Sequence, residues 1–165
     1  MKILKYYLIS VLFLFCFSNQ VFFSPHGNIR QELVRLIGKS TGNIDLAIYS
    51  FTSKELALSL LSAKQSGRKV RIIADRSQQN GTGSVIGWLT KYIEVRILPA
   101  HQERCLMHDK FMVIGDKYLT TGSYNWTSNA ELFNYENLII LTDKETIQQF
   151  SNEFNKLWQL ARPMP

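Results

Sequence analysis

The sequence predicts an α/β fold in one domain: a mixed, mostly β-sheet flanked by helices on both faces. Strands and helices alternate in the first half of the chain, two strands joined by a short turn follow, and an amphipathic helix ends it. The 165 residues are 45% hydrophobic and 19% charged, which is typical of a folded domain and not of a disordered chain. The only cysteines, Cys16 and Cys105, exclude a disulfide scaffold and every paired-cysteine zinc site.

The chain begins with the pattern of an export segment. Residues 6–17 are apolar at all but one position, and Lys2 and Lys5 precede them. A short basic region followed by about a dozen apolar residues is typical of a secretory signal, whereas a membrane-spanning helix needs roughly 20. We therefore assign residues 1–24 to a signal peptide or an N-terminal membrane anchor, and residues 25–165 to the folded domain.

Export would place the protein in the periplasm or outside the cell. No small-residue cleavage triplet precedes the domain, so the segment could also remain and anchor the protein to the inner membrane through residues 6–23. Without residues 1–24, which hold two lysines and no acid, the net charge falls from +6 to +4. Cys105 is then the only thiol, and no intramolecular disulfide can form.

The first half of the domain is predicted as two helices and two strands. A helix over residues 28–37 has Asn28 as its cap and carries a regular apolar face. A strand over 43–51 alternates apolar and polar residues, and a strand over 70–75 is apolar enough to be buried on both faces. Between them, the capping box Thr52–Glu55 begins a second helix. A strand–helix–strand unit of this kind predicts parallel pairing.

The second half is predicted to contain a hairpin and a long helix. Gly115-Asp116 separates strands over 108–114 and 117–121 and suits a two-residue turn of type II′. Thr142 and Glu145 cap a final helix whose apolar residues form one stripe. The other predicted elements are a loop over 77–84, a short helix over 85–92, and strands over 93–98 and 137–141. The hairpin adds antiparallel pairing, so the predicted sheet is mixed.

One window of the second half carries the chemistry. His108 and Lys110 are two residues apart on a predicted strand and would project from the same face. An imidazole, which titrates near neutral pH, beside a fixed ammonium charge makes a site for a phosphoryl group. Ser123 and Asn125 follow the next strand in a Gly-Ser-x-Asn turn and could surround an anion, while Glu136 could orient an imidazole.

Each of these signals is weak when taken singly. A histidine two residues before a lysine arises by chance in many chains, and serine and asparagine after a strand are commonly turn residues. Glu136 alone could be a surface charge. The joint spacing of the five residues makes a functional interpretation preferable.

The stretch HDKFMVIGDKYLTTGSYNWT resembles the H-x-K-(x)4-D…G-S-x-N motif, the HKD motif, of the phospholipase D superfamily. It is most similar to the small bacterial endonucleases that carry a single motif, and the resemblance extends from about Asn28 to Leu160. It implies a phospholipase D-like fold and a phosphodiesterase activity. It also implies a role for each site residue: His108 as the catalytic histidine, Lys110 as the catalytic and phosphate-binding lysine, Ser123 and Asn125 as phosphate-binding residues, and Glu136 as the glutamate that supports the histidine.

The sequence departs from this motif at one position. The aspartate position of the family holds Gly115, and Asp116 follows one place later. Both arrangements fill a two-residue turn, so a turn role survives the exchange. A side-chain role of that aspartate does not survive the exchange. We therefore leave both Gly115 and Asp116 out of the predicted site.

A single motif implies a site shared by two chains. Displacement at phosphorus needs a nucleophile on one side and an acid for the leaving oxygen on the other. Only His108 is a candidate, because His26 lies beside the export segment and His101 lies in a polar loop without a matching lysine. We therefore predict a homodimer that forms a phosphohistidine intermediate and requires no metal and no cofactor, since two lysines supply the positive charge.

Three substrate hypotheses remain open. The positive charge favours a nuclease of low sequence specificity acting on DNA or RNA, with four aromatic residues near the motif able to stack on bases or to lie in the core. The basic residues in question are Arg68, Lys69, Arg71, Arg76, Lys91 and Arg96, and the aromatic ones are Tyr124, Trp126, Phe133 and Tyr135. The second hypothesis is a phospholipase that cleaves membrane phospholipid headgroups, and the third is a nucleic-acid-binding module without activity.

Overall fold

The computed structural model describes residues 19–99 and 105–164. The strands are β1 (Gln20–Ser24), β2 (Ile44–Ile48), β3 (Val70–Ala74), β4 (Glu94–Ile97), β5 (Lys110–Ile114), β6 (Tyr118–Gly122), β7 (Glu136–Leu141) and β8 (Arg162–Pro163). The helices are α1 (Ile29–Lys39), α2 (Lys54–Gln65), α3 (Ile86–Leu89), α4 (Ser128–Leu132) and α5 (Lys144–Leu160). A 3₁₀ turn covers Arg76–Gln79.

The strands form one mixed sheet in the order β1-β7-β6-β5-β2-β3-β4-β8. Strands β2, β3 and β4 are parallel, as the strand–helix–strand pattern predicted, and β5 pairs antiparallel with both β2 and β6. Strand β7 is antiparallel to β6 and to β1. The predicted fold class, a mixed sheet with helices on both faces, is confirmed.

Helices cover both faces of the sheet because alternate strand residues point to opposite sides. On one face, α1, α2 and α3 bury their apolar stripes against residues such as Leu46, Ile72 and Met112. On the other face, α5 packs against Ala47, Ile73 and neighbouring strand residues. The stripe predicted for the last helix is the surface that makes this contact, since Ile147, Phe154 and Trp158 of α5 are buried. The most completely buried residues of α1 and α2 are Ile29, Leu33, Ile37, Leu56, Ala57 and Leu60.

The local caps differ from the predicted ones. Asn28 adopts a left-handed backbone conformation and its side chain makes no capping bond. Helix α2 is capped by Ser53 and α5 by Asp143, each one residue after the predicted cap. In both helices the later residue presents a side-chain oxygen to the third backbone N–H, which is the bond that defines a cap.

The hairpin between β5 and β6 has a three-residue turn and not the predicted two-residue one. Ile114 pairs with Tyr118, so Lys117 lies in the turn with Gly115 and Asp116. Gly115 has φ +57°, and its backbone approaches Gly42 so closely that a Cβ added to Gly42 would lie 2.8 Å from it. The positive φ of Gly115 favours glycine at the position where the motif has aspartate, and a Cβ there would lie 3.3 Å from the Cα of Gly42.

Strand β1 was assigned to the export segment by the sequence analysis. Its residues pair with β7 from Gln20 opposite Ile140 to Ser24 opposite Glu136. The folded domain therefore includes Gln20–Ser24 and begins before the predicted boundary at residue 25. The predicted export run, residues 6–17, lies outside the described residues. No helix within the described ranges is both long enough and apolar enough to cross a membrane.

Candidate active site

The strand directions bring the motif residues to one edge of the sheet. Strands β1, β2, β3 and β6 end at this edge, whereas the antiparallel strands β5 and β7 begin there. Lys110 is the first residue of β5, Glu136 is the first residue of β7, and Ser123 directly follows β6. The structure therefore brings together residues that are up to 28 positions apart in the chain, since His108 and Glu136 line the same cleft.

This cleft is open and has a volume of about 510 Å³. All five predicted site residues line it: His108, Lys110, Ser123, Asn125 and Glu136. Phe150 of α5 closes one side. The site is therefore a shallow polar cleft at a sheet edge, which suits a phosphodiester within a larger molecule.

His108 does not lie on a strand, contrary to the prediction, because β5 begins only at Lys110. The two side chains nevertheless meet: Lys110 Nζ lies 3.2 Å from His108 Nδ1 and donates to the backbone oxygen of His108 at 2.6 Å. The side chain of Tyr49, just beyond β2, holds both. Its ring centre lies 4.4 Å from that of His108 and 5.1 Å from Lys110 Nζ.

The contact with Lys110 bears on which nitrogen of His108 carries the proton. A lysine ammonium is a donor only, so when Lys110 donates to Nδ1 the ring proton is on Nε2. In this arrangement Nε2–H can protonate a leaving oxygen. Attack by Nε2 on phosphorus instead requires the proton on Nδ1, and Lys110 must then move from the histidine to the phosphate.

Electrostatics at the start of β5 are altered by burial. Burial lowers the pKa of Lys110 below its ordinary value of 10.5, although the carboxylates of Asp109 and Glu136 oppose that change. Partial burial raises the pKa of Asp109, and the nearby carboxylate of Glu153 adds to it. Keeping Lys110 protonated in this partly buried position therefore costs free energy, and the negative charge of a bound phosphate would offset that cost.

Ser123 and Glu136 form a hydrogen-bonded pair across the cleft. The Ser123 hydroxyl donates to one carboxylate oxygen of Glu136 and accepts from the backbone N–H of Asn137 at 3.1 Å. The other carboxylate oxygen accepts from Asn134 Nδ2 at 3.0 Å. Within the described part of the chain, the expected contact of Glu136 with His108 is not formed, and its role in supporting the histidine stays a prediction.

Glycine and asparagine shape the turn that carries Ser123. A Cβ at Gly122 would lie 2.2 Å from the backbone oxygen of Asn137, so only glycine allows β6 and β7 to approach as they do. Asn125 accepts from the backbone N–H of Ser50 through Oδ1 at 3.2 Å. Because Oδ1 is occupied by this bond, the amide NH₂ group is the donor that Asn125 retains for an anion in the cleft that it lines.

Three buried residues hold this edge in place and were not predicted as part of the site. Asp75, which is 1% exposed, follows β3 and accepts from the backbone N–H of Met107, the residue before His108, at 2.9 Å. Tyr124 donates to the buried carboxylate of Glu131 at 2.6 Å and so fixes the segment between Ser123 and Asn125. Burial, followed by the bond to Glu131, raises the pKa of Tyr124. Asp75 directly follows an apolar strand, but nothing in the sequence around these residues indicates which groups they contact.

The aromatic residues near the motif fall into two groups. Tyr124 and Trp126 are buried in the core, at 1% and 3% exposure, and cannot stack on a base. Phe133 and Tyr135, by contrast, are 71% and 93% exposed beside Glu136.

The charge argument for a polyanion fails for three of the six basic residues. Arg68 is buried and donates to the backbone oxygens of Gly42 and Ile37. Arg71 pairs with Asp45 through two 2.7 Å bonds beneath α5, and Arg96 stacks on Trp158 with 4.3 Å to the ring centre. These guanidinium groups stabilise the fold.

No cluster of three or more His, Cys, Asp or Glu side chains within residues 19–99 and 105–164 has the arrangement of a metal site. His101 lies outside these ranges.

The mixed sheet and the histidine, lysine, serine, asparagine and glutamate at its edge define a hydrolase of the phospholipase D superfamily. The solved structure of NucT from Helicobacter pylori is 31% identical, with a TM-score of 0.82 over 88% of this chain and 98% of that one. The phospholipase D family member Nuc from Salmonella typhimurium is 27% identical, with a TM-score of 0.79 over 88% of this chain and 97% of that one.

The model of the family described as "Cardiolipin synthase, PLD-like domain" matches residues 33–158, and the chain belongs to this family. Curated relatives include the mitochondrial cardiolipin hydrolase of Homo sapiens, which is 34% identical over 141 residues. That of Canis lupus familiaris is 35% identical over 141 residues. The alignments cover 84% of this chain but 55% and 54% of those proteins, so the chain spans about half of their length.

Proposed function

We propose that this chain is an exported, metal-independent endonuclease that cleaves DNA, with RNA as a further substrate, through a phosphohistidine intermediate at a site shared by a homodimer. The observation that carries the proposal is the cleft at the sheet edge, where His108 and Lys110 face Ser123 and Asn125. The similarity to Nuc and NucT over nearly their whole length, together with the resemblance to single-motif bacterial endonucleases, supports the nuclease assignment.

The residues of the cleft would divide the chemistry as follows. Nε2 of one His108 attacks phosphorus, a nitrogen–phosphorus bond forms, and the bond to the leaving oxygen breaks. The partner's His108 gives its proton to that oxygen and then takes a proton from the water that attacks the phosphohistidine. Lys110, Ser123 and the amide of Asn125 hold the non-bridging oxygens while negative charge builds. Hydrolysis restores both histidines to their starting states.

A homodimer is supported by the exposed apolar residues around the cleft. Phe133, Tyr135 and Leu132 lie within four positions of Glu136 and are more than half exposed, as are Val21 and Phe23 on the adjoining edge strand. Large exposed apolar groups that cluster beside a site are typical of a surface covered by another molecule. A second copy placed there would bring its own His108 toward the first.

Cleavage of plasmid DNA in the presence of EDTA tests the chemistry. The wild-type chain should cut without added metal, and His108→Asn should lose at least about 1,000-fold in rate because the nucleophile is gone. His26→Asn is the matched control, since His26 is exposed in a loop and asparagine tolerates its positive φ. Complete loss of wild-type activity in EDTA would refute the metal-independent mechanism. An active monomer in sedimentation velocity would refute the shared site.

A second candidate function is the hydrolysis of phospholipid headgroups. The names of the curated relatives favour cardiolipin as that substrate, and the exposed Phe133 and Tyr135 could contact a lipid surface beside the cleft. The same preparation should therefore be offered cardiolipin vesicles, single-stranded DNA and RNA at equal phosphodiester concentration. Faster turnover of cardiolipin than of either nucleic acid, lost in His108→Asn, would replace the nuclease proposal with the lipid one.

A further inference from the structure

We infer that Ser24, at the end of β1, is a positioning residue for Glu136, and that the N-terminal edge strand is thereby part of the active-site framework. The inference rests on the proposed function, since it concerns how the cleft is held for phosphodiester cleavage. It also assigns a structural role to residues that the sequence pattern places in an export segment.

Ser24 contacts the segment that carries Glu136 at two points. Its hydroxyl donates to the backbone oxygen of Asn134 at 3.0 Å and accepts from the backbone N–H of Glu136 at 3.2 Å. The side chain is only 4% exposed, so water cannot replace these bonds. One hydroxyl thus bridges both sides of Tyr135 and defines the turn that enters β7.

The same turn sets the carboxylate of Glu136. Asn134 donates from its side chain to one oxygen of that carboxylate, and Ser123 donates to the other. Ser24 holds the backbone of both Asn134 and Glu136. It therefore controls the distance between the Glu136 carboxylate and the Asn134 side chain that donates to it. A continuous chain of hydrogen bonds therefore runs from β1 through the turn to Ser123 in the cleft.

The pairing of β1 explains why the bridge forms at this point. Five residue pairs join β1 to β7, and Ser24 is the last, directly opposite Glu136. Phe22 of the same strand packs against the main core, which fixes the strand along its length. Processing of the chain after Ser24 would remove the strand and the bridge together, whereas processing before Gln20 would retain both.

Two variants of the full-length chain separate the hydroxyl of Ser24 from its volume. Ser24→Ala removes both bonds, and Ser24→Cys keeps the size of the side chain but forms only weak hydrogen bonds. The assay is hydrolysis of bis(p-nitrophenyl) phosphate, a small phosphodiester that does not depend on the identity of the natural substrate. Both variants should lose about 10-fold or more in kcat with KM within twofold, because a displacement near 1 Å in a catalytic group can cost on the order of 100-fold.

Ser40→Ala is the matched control. Its hydroxyl is partly buried and donates to the backbone oxygen of Leu36 at 2.7 Å, at the far end of α1. It should lower the melting temperature without changing kcat. Wild-type kcat in Ser24→Ala, or in Ser24→Cys alone, would refute the positioning role of the hydroxyl. A wild-type enzyme that hydrolyses no phosphodiester would instead refute the proposed function itself, and the inference with it.

Discussion

Asp75 offers the sharpest test of how the loop before His108 is held. Replacing it with alanine removes two hydrogen bonds, from the backbone N–H groups of Ser77 and Met107, each at 2.9 Å. Ser77 is exposed, so water can replace the first bond, but Met107 is 6% exposed and its N–H would lose its partner in the interior. A hydrogen bond to a charged group contributes about 1.5–3 kcal/mol, and we expect a loss near 3 kcal/mol in the free energy of unfolding.

For a domain of this size, 1 kcal/mol corresponds to roughly 2–4 °C in melting temperature, so Asp75→Ala should melt about 6–12 °C lower. Thermal unfolding followed by circular dichroism measures this change. Because Met107 directly precedes His108, kcat should also fall, on the order of 10-fold. Asp116→Ala, in the exposed hairpin turn, is the control and should change the melting temperature by no more than a degree or two. A decrease below 3 °C in Asp75→Ala would show that its bond to Met107 does not hold the loop.

Three further predictions concern neighbouring groups. Since burial lowers the pKa of Lys110, its ammonium group loses a proton at a pH below 10.5, and the cleavage rate should fall as pH rises through that pKa. Lys110→Arg should move this fall in rate to higher pH in a pH–rate profile. Tyr124→Phe should lower the free energy of unfolding by about 1.5–3 kcal/mol in urea titration, because the buried carboxylate of Glu131 loses a donor, whereas Tyr92→Phe at the surface should not. The pKa of Asp109 is raised above 3.8, so the folded state is destabilised as pH rises through that interval; Asp109→Asn should raise the melting temperature more at pH 7 than at pH 4.

Much of the fold could be predicted because the apolar pattern has a clear period. The stripe of α5 and the alternation along β2 are visible in the sequence and correspond to buried faces in the structure. Helix α4 and strand β8, with five and two residues, are too short to show a period and were not predicted. Strand β1 was missed for a different reason: its apolar residues continue the export run, and only pairing with β7 distinguishes them.

The site residues could be predicted where they follow one another at the fixed intervals of a sequence motif. His108, Lys110 and Ser123 follow one another at characteristic intervals, and the strand directions then bring them into one cleft. Residues that act through tertiary contacts leave no such trace. Tyr49 reaches His108 from just beyond β2, and Asp75 reaches the loop before it from just beyond β3, across at least 30 residues of chain. Such partners follow from the order of strands in the sheet, which the local pattern does not determine.

The geometry of the edge also explains why a second copy enters the proposed mechanism. Every polar group in the cleft approaches from one edge of one sheet, so together these groups can hold one side of a phosphodiester. Displacement at phosphorus places the nucleophile and the leaving oxygen on opposite sides, and the acid must approach from the far side. His108 is the only histidine that lines the cleft among the described residues, and Phe133 and Tyr135 leave an apolar surface exposed beside it. A two-fold copy that covers this surface would place an equivalent histidine, with its own lysine, on the side where the leaving oxygen departs.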